Sequence, residues 1–313
     1  MIGRRSVAAG FAAAVLAGRA QAETPVLRVG DQKGGTESLM KVAAALGDLP
    51  YRLEWSQFAA AAPLLEALNA GAVDLAFAGD APVTFALAAG VPARIIAATR
   101  TSGAGTAIMV PDRSPIRGPA ELKGRSVGVN RGSIGHALVL AVTEQQGWRT
   151  DDVTVVNLLP TEAKSAVSTG AVDAWSSWGV YVAQAQLVDG YRIVVDGGQG
   201  RLTGLSYSVA SDAAIAGKRA ALLDFSHRVA AARRWADGHR DAYAAMLAAE
   251  IGVSQAVARR MFDIETPLPV AIDAGVIADQ QRTADRYTRA GIIRAQLEAG
   301  RLFDASFNAS LDG

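Results

Sequence analysis

Cysteine is absent from the 313 residues of the sequence, and histidine occurs only three times. Without cysteine the chain forms no disulfide and carries no thiol nucleophile, zinc–thiolate site or iron–sulfur cluster. His136, His227 and His239 lack the paired spacing that holds a transition metal, so no metal site is predicted. A G-x-S-x-G sequence at 124–128 precedes a predicted strand, whereas the serine of a nucleophile elbow follows one. The sequence therefore predicts neither catalysis nor a cofactor.

Charge of one sign is not in excess either, because 31 Lys and Arg residues oppose 30 Asp and Glu residues. Nucleic acid is not predicted as a partner, since binding to phosphates needs a concentrated basic surface. Beyond the N-terminal region, no apolar run reaches the length of about 18 residues that a membrane-spanning helix needs. We therefore expect a soluble mature chain. The apolar fraction of 50% excludes disorder, and the length suits one large or two modest domains.

Residues 1–22 have the pattern of an export signal. Arg4 and Arg5 form a positive start, residues 7–16 are apolar, and an A-x-A cleavage sequence ends at Ala22. A buried N-terminal helix is the alternative. The paired arginines match a twin-arginine signal only in part, so the twin-arginine and the general secretory route both remain open. We expect cleavage after residue 22 and a location in a bacterial periplasm.

After the signal, short apolar strands alternate with helices in two series. The predicted strands are 26–30, 51–58, 73–78, 94–99 and 107–110, then 125–129, 153–158, 172–175 and 192–195, and finally 205–211. This alternation predicts an α/β fold whose mostly parallel sheets are flanked by helices. The rest of the chain is predicted to be helical, ending with a helix at 292–300.

Two breaks divide the pattern, a proline-rich stretch at 111–119 and a glycine-rich one at 197–200. They predict two lobes that are joined by two hinge crossings. Lobe I is expected to comprise residues 23–112 and 203–313, and the inserted lobe II residues 113–202. The cleft between two such lobes is the usual place for a small ligand.

Four strand-to-helix loops are predicted to face this cleft, two from each lobe. Ligands of open α/β sheets bind beyond the carboxyl ends of the strands, where backbone N–H groups and the helix dipole attract anions. The candidate ligand-binding residues of the four loops are Gln32, Lys33, Gly79, Asp80, Ala81, Gly132, Ser133, His136, Trp175, Ser177 and Trp178. Together they would clamp a small anionic organic ligand.

Each candidate also has an ordinary structural alternative. Asp80 would then merely cap its helix, and His136 would be a buried structural histidine. Of Trp175 and Trp178, we expect one to cover the apolar part of the ligand and the other to pack in the core.

Several stretches resemble the periplasmic aliphatic-sulfonate-binding proteins of ABC importers, within the wider sulfonate, taurine and nitrate group. They are LRVGDQKG at 27–34, PLLEALNAG at 63–71, GDAP at 79–82, LKG at 122–124, NRGS at 130–133 and VDAWSSW at 172–178. The resemblance implies a two-lobed type II periplasmic binding fold that closes on its ligand. It also implies an ABC permease as partner, a monomer, and an organosulfonate as ligand. Taurine, nitrate, an aromatic acid or a pyrimidine are alternative ligands.

The sequence departs from the family pattern at three places. Asp31 stands where family members often carry Tyr, Gly179-Val180 stands where Asp-Pro is common, and Ala137 or Leu138 replaces a common aromatic residue. These changes predict a larger pocket or a ligand with a cationic end.

Two other classes of protein are weaker alternatives. Pyrimidine-synthesising enzymes share the fold in the wider superfamily, but they act inside the cell and rely on histidines. A sensory ligand module normally has a fused transmembrane or signalling segment, which the sequence does not show. We therefore predict a non-enzymatic binding protein that serves sulfonate transport in sulfur metabolism.

Overall fold

Two β-sheets form the centre of the computed structural model, which describes residues 24–32, 34–294 and 296–311. The expected export signal, residues 1–22, lies outside the described residues. The first sheet has the strand order β11-β4-β10-β3-β1-β2, and the second the order β7-β6-β8-β5-β9. The strands are β1 (Val26–Gln32), β2 (Arg52–Phe58), β3 (Leu75–Gly79), β4 (Ala93–Arg100), β5 (Thr106–Pro111), β6 (Ser126–Val129), β7 (Thr154–Asn157), β8 (Ala174–Trp178), β9 (Tyr191–Asp196), β10 (Leu205–Ser211) and β11 (Leu268–Val270).

Helices cover both sheets and complete two lobes. The first lobe contains α1 (Thr36–Val42), α2 (Ala61–Asn69), α3 (Asp80–Ala88), α7 (Asp212–Gly238), α8 (Arg240–Ile251), α9 (Gln255–Ile264) and α10 (Ala274–Arg289). The second lobe contains α4 (Ile134–Gln145), α5 (Pro160–Thr169) and α6 (Val180–Leu187). Apolar side chains on both faces of the first sheet are buried under these helices, as Leu27 and Val29 are on one face and Val209 on the other.

Both sheets are mixed, whereas the sequence predicts mostly parallel ones. Strands β1, β2 and β3 pair in parallel, and so do β6, β7 and β8. Strand β10 is antiparallel to β3 and β4, and β5 is antiparallel to β8 and β9. Strands β5 and β10 each follow directly on a strand of the other sheet. No helix lies between the two strands to return the chain to a parallel direction.

The first crossing between the sheets comes earlier than the sequence predicts. It comprises residues 101–105, because β5 pairs with β8 and β9 in the second sheet. The predicted boundary at 112/113 is corrected accordingly, and the proline-rich stretch 111–119 lies within the second lobe, where Ile116 is buried in the core. The second crossing comprises residues 197–204, next to the predicted boundary at 202/203.

The helix predicted at 292–300 is wrong for the residues described there. Residues 292–294 and 296–298 are irregular, and a short 3-10 turn, Ala299–Leu302, follows. The side chain of Gln281 holds this segment, since its Nε2 donates to the Leu297 carbonyl (2.9 Å) and its Oε1 accepts from the Ala299 N–H (2.8 Å). Hydrogen bonds from α10 thus replace those of the predicted helix.

Two helices of the first lobe, α9 and α10, make polar contacts with the second lobe. On α10, Arg286 and Arg289 both pair with Glu144 of α4, and the Tyr287 hydroxyl donates to the Ser133 carbonyl (3.4 Å). On α9, Arg260 Nε donates to Gln186 of α6 (3.3 Å). These contacts flank the space between the lobes. Within the described residues no helix is both long and apolar enough to cross a membrane.

Candidate functional site

A cavity of about 290 Å³ lies between the two lobes. It is bordered by the carboxyl ends of β1 and β3 and by the N-termini of α1, α4 and α6. Four of the residues predicted from the sequence line it: Gln32, Gly79, Ser133 and Trp178. Lys33 lies outside the described residues. The remaining six predicted residues do not line the cavity.

Ser133 brings hydroxyl and backbone donors together at the start of α4. It is the N-cap residue, and its Oγ accepts the His136 N–H (3.2 Å), so the hydroxyl hydrogen can still donate to a ligand. The first N–H groups of α4 and α6 have no acceptor within their own helices. Because the helix dipole makes each such end positive, the cavity wall suits an anion.

Gln32 and Trp178 line the cavity from opposite lobes. Gln32 is the last residue of β1, and its Nε2 donates to the Phe77 carbonyl (3.3 Å). Trp178 is the last residue of β8, and its ring packs edge-on against Tyr181, which also lines the cavity. The two aromatic rings form an apolar wall on the side of the second lobe.

Asp80 is buried in the interior and does not line the cavity. Its carboxylate accepts the Ala81 N–H (2.7 Å) and the hydroxyl hydrogens of Thr203 (2.5 Å) and Thr283 (2.8 Å). Burial raises its pKa. These bonds tie α3 to the second crossing and to α10, so the structure corrects the predicted polar contact with a ligand to a role inside the first lobe. Ala81 is fully buried beside it.

His136 and Gly132 shape the loop that presents Ser133. The Gly132 N–H donates to His136 Nδ1 (3.1 Å), and Gly132 has a φ of +80°, which favours glycine. Burial, helped by the charge of Arg131, lowers the pKa of His136 to about 4, so the ring is neutral at pH 7. His136 packs near Tyr287, 6.1 Å between ring centres, and thus has the surroundings of a structural histidine.

Trp175 and Ser177 face away from the cavity. Alternate residues of a strand point to opposite faces, so these two share one face of β8. Both are buried, and Trp175 packs against Tyr181 and Tyr191, each 6.2 Å away between ring centres. Of the two tryptophans, the core therefore contains Trp175 and the cavity wall Trp178.

Asp31 and Arg233 both line the cavity, and their opposite charges attract each other. The carboxylate of Asp31 accepts the Glu37 N–H of α1 (2.6 Å) and is attracted by Arg233, but burial outweighs both and raises its pKa to about 6. Only a glycine at position 35 leaves room for this carboxylate, because a Cβ there would collide with it. Burial lowers the pKa of Arg233, whose terminal nitrogen donates to Thr36 Oγ1 (3.3 Å).

The sequence reasoning missed Arg233 as a residue of the site. The signal that would have found it is helical spacing, because Val229, Ala230 and Arg233 lie at positions i, i+1 and i+4 and all three line the cavity. It also missed Glu265, which follows α9 directly. No group of three or more His, Asp or Glu side chains in the described part of the chain is arranged to hold a metal.

Two α/β lobes, two crossings and a cleft between them define a type II periplasmic binding fold. Residues 56–202 match the family model described as NMT1/THI5 like. The alkanesulfonate-binding protein SsuA from Xanthomonas axonopodis pv. citri, solved bound to MOPS, has a TM-score of 0.85 at 29% identity, covering 90% of this chain and 99% of that one. A desulfurization enzyme, DSZB, shares the fold with a TM-score of 0.66 at 20% identity, covering 92% of this chain and 99% of the enzyme.

The family of this chain is shown by a relative whose sequence similarity extends over most of both chains. A protein of Escherichia coli (strain K12), described as an aliphatic sulfonates-binding protein, is 33% identical over 275 residues, which are 86% of this chain and 85% of the relative. The chain therefore belongs to the family of aliphatic-sulfonate-binding proteins. The resemblance read from the sequence is confirmed, and both this relative and the alkanesulfonate-binding SsuA are described as binding proteins.

Proposed function

We propose that this protein binds an aliphatic sulfonate in the cleft between its lobes and delivers it to an ABC importer. The observation that carries the proposal is the set of anion donors on the cleft wall, namely Ser133 and the N-termini of α4 and α6, in a chain of the sulfonate-binding family. In this proposal the sulfonate oxygens accept hydrogen bonds from these groups and from Gln32. Trp178 covers the organic part.

Closure of the lobes would couple binding to recognition by the permease. Groups of both lobes line one cavity, so a ligand that contacts both binds the closed form more tightly than the open one. The ligand thereby shifts the population toward the closed form. We infer that the protein acts as a monomer and without catalysis.

A thermal-shift panel tests the ligand class. We expect ethanesulfonate, taurine or MOPS to stabilise the purified protein, whereas nitrate, an aromatic carboxylate and a pyrimidine do not. Ligand at about 100 times its Kd contributes about 2.7 kcal/mol, which raises Tm by roughly 4 °C for a chain of this size. A folded, ligand-free sample that responds to no sulfonate would overturn the proposal.

The variant Ser133→Ala tests the site with a matched control. Ser211 is likewise an N-cap residue whose Oγ accepts a backbone N–H (3.2 Å), but it does not line the cavity. Loss of either cap is expected to cost about 1 kcal/mol of stability. Only Ser133→Ala should also weaken sulfonate binding, by roughly tenfold or more, because it removes a hydrogen bond to a charged group. Equal affinities in both variants would exclude a role for this hydroxyl in binding.

We further propose that residues 1–22 direct export to the periplasm and are then removed. Expression of the full chain in a bacterial host, followed by N-terminal sequencing of the periplasmic fraction, should give a first residue at position 23. Changing Arg4 and Arg5 to Lys separates the routes, because the twin-arginine pathway requires the arginine pair. Protein that keeps its N-terminus and stays in the cytoplasm would contradict export.

A further inference from the structure

Glu265 places a carboxylate in the cleft without a partner. Its Oε2 is buried, and within the described residues no hydrogen bond or ion pair reaches either carboxylate oxygen. The side chain as a whole is half-buried, but this one oxygen has neither solvent nor a protein donor beside it, and a polar atom removed from water without a hydrogen bond is destabilising. The carboxylate is therefore a candidate for an interaction that a ligand completes.

Glu265 lies at the junction of the two lobes, directly after helix α9. Glu265 is the C-cap residue of α9, and its N–H donates to the Met261 carbonyl (3.3 Å). The carboxylate lies against Gly105 of the first crossing, where a Cβ would collide with it. The Gly105 carbonyl in turn accepts the N–H of Gly179 (2.9 Å), the residue that precedes α6. Glu265 thus lies beside the junction between β8, which ends at Trp178, and α6.

The other charges of the cleft do not neutralise this carboxylate. Arg233 is the described cation of the cavity wall, and it is attracted by the carboxylate of Asp31. No ion pair joins Arg233 to Glu265 among the residues that the structure describes. Asp31 and Arg233 offset each other when both are charged, so the negative charge of Glu265 remains.

We propose that Glu265 determines specificity by binding a cationic amine carried by the sulfonate ligand. This inference rests on the proposed function, in which the sulfonate group is held by Ser133 and the N-termini of α4 and α6. A ligand with an amine at its other end would satisfy the carboxylate. A plain alkanesulfonate would bury the carboxylate unpaired and would be repelled by its charge.

The test compares two ligands of similar size by isothermal titration calorimetry. Taurine carries an ammonium group where propane-1-sulfonate carries a methyl group. The unchanged protein should bind taurine about tenfold or more tightly than propane-1-sulfonate, because a hydrogen bond to a charged group is made in one complex only. In Glu265→Gln this preference should fall to about threefold or less, with weaker taurine binding and equal or tighter propane-1-sulfonate binding.

Glu66→Gln is the matched control, because Glu66 is exposed on α2 and does not line the cavity. It should leave both affinities unchanged, and thermal unfolding checks that both variants are folded. Equal binding of the two ligands by the unchanged protein, or a preference that survives in Glu265→Gln, would overturn the role of Glu265 while leaving sulfonate binding intact. Failure of both sulfonates to bind would instead overturn the proposed function.

Discussion

Asp31 carries a carboxylate into the buried end of β1. Three features favour its charged form, the backbone N–H groups of Glu37 and Gln32 and the guanidinium of Arg233. Burial disfavours the charge more strongly, so its pKa rises from 3.8 to about 6. Between pH 3.8 and about 6, Asp31 is therefore mostly ionised in the unfolded chain and mostly protonated in the folded protein.

The variant Asp31→Asn should therefore change how stability depends on pH. A raised pKa in the folded state favours folding at low pH, and this contribution is lost as the pH rises from about 4 through 6. The difference between 3.8 and about 6 corresponds to about 3 kcal/mol. Urea unfolding should show the two proteins converging below pH 4, and Asp31→Asn as the more stable one, by up to about 3 kcal/mol, at pH 7.5.

Asp112→Asn provides the control for this series, because Asp112 is exposed in the second lobe. Its stability should follow that of the unchanged protein at every pH. If Asp31→Asn also followed the unchanged protein in parallel, burial would not control the ionisation of Asp31.

The residues of the cleft were predictable where they follow strands of a parallel series. Gln32, Gly79, Ser133 and Trp178 each end a strand or begin a helix, and the position of such residues depends on local order alone. Trp175 could not be separated from Trp178, because the face that a strand turns to the cavity is decided by packing. Arg233 and Glu265 come from the helical C-terminal part of the chain. Helical spacing groups Arg233 with Val229 and Ala230, but which helix face is turned to the cleft is decided by packing between distant segments.

At the scale of elements, Asp80 connects three parts of the first lobe that are far apart in sequence. It begins α3, and its carboxylate accepts from Thr203 of the second crossing and Thr283 of α10. Asp80→Ala would leave both hydroxyl groups unpaired in the interior, so we expect a loss of about 3 kcal/mol in the free energy of unfolding. Asp80→Asn should lose less, because the amide oxygen can still accept a hydrogen bond.

Urea unfolding and sulfonate titration together separate this role from the one predicted from the sequence. A variant Asp80→Ala that keeps the stability of the unchanged protein, yet no longer binds a sulfonate, would show that Asp80 contacts the ligand. A loss of stability in which the folded fraction still binds would support the interior role.

The order of strands and helices was predictable from the sequence, whereas the boundary between the lobes at the first crossing was not. Alternating strands and helices are a local pattern, and strand β10 has the predicted bounds, Leu205–Ser211. The first crossing depends on which sheet β5 joins, and the apolar run of β5 suits a buried strand in either sheet. The prolines at 111–119, which predict a hinge, lie instead in an irregular connection within the second lobe.

At the scale of the whole molecule, the two lobes meet across the cleft at Gly79 and Ile134. Gly79 precedes α3 in the first lobe, and Ile134 is the first residue of α4 in the second. A Cβ placed on Gly79 would lie 3.8 Å from the Cβ of Ile134. The backbone of Gly79, with φ −65° and ψ 164°, is also open to other residues. Only the Ile134 side chain stands in the way of a larger residue there.

This spacing matches the Cβ–Cβ distance of a disulfide, which averages about 3.8 Å. Since the natural sequence has no cysteine, the double variant Gly79→Cys with Ile134→Cys would contain only the two introduced thiols. Oxidation should join the lobes in the arrangement seen here. Mass spectrometry and thiol titration would measure the bond, and the two single variants would serve as controls that keep a free thiol.

The order in which ligand and oxidant are added then tests whether opening is required for exchange. Oxidation before ligand should exclude the sulfonate from the cleft, whereas oxidation after ligand should trap it. Reduction should restore exchange in both cases, because the disulfide is the only difference between the oxidised and the reduced variant. Rapid exchange in the oxidised protein would show that the ligand reaches the cleft without separation of the lobes. Binding would then need no hinge movement, and the contacts of α10 and α9 with the second lobe would hold the two lobes as one rigid unit.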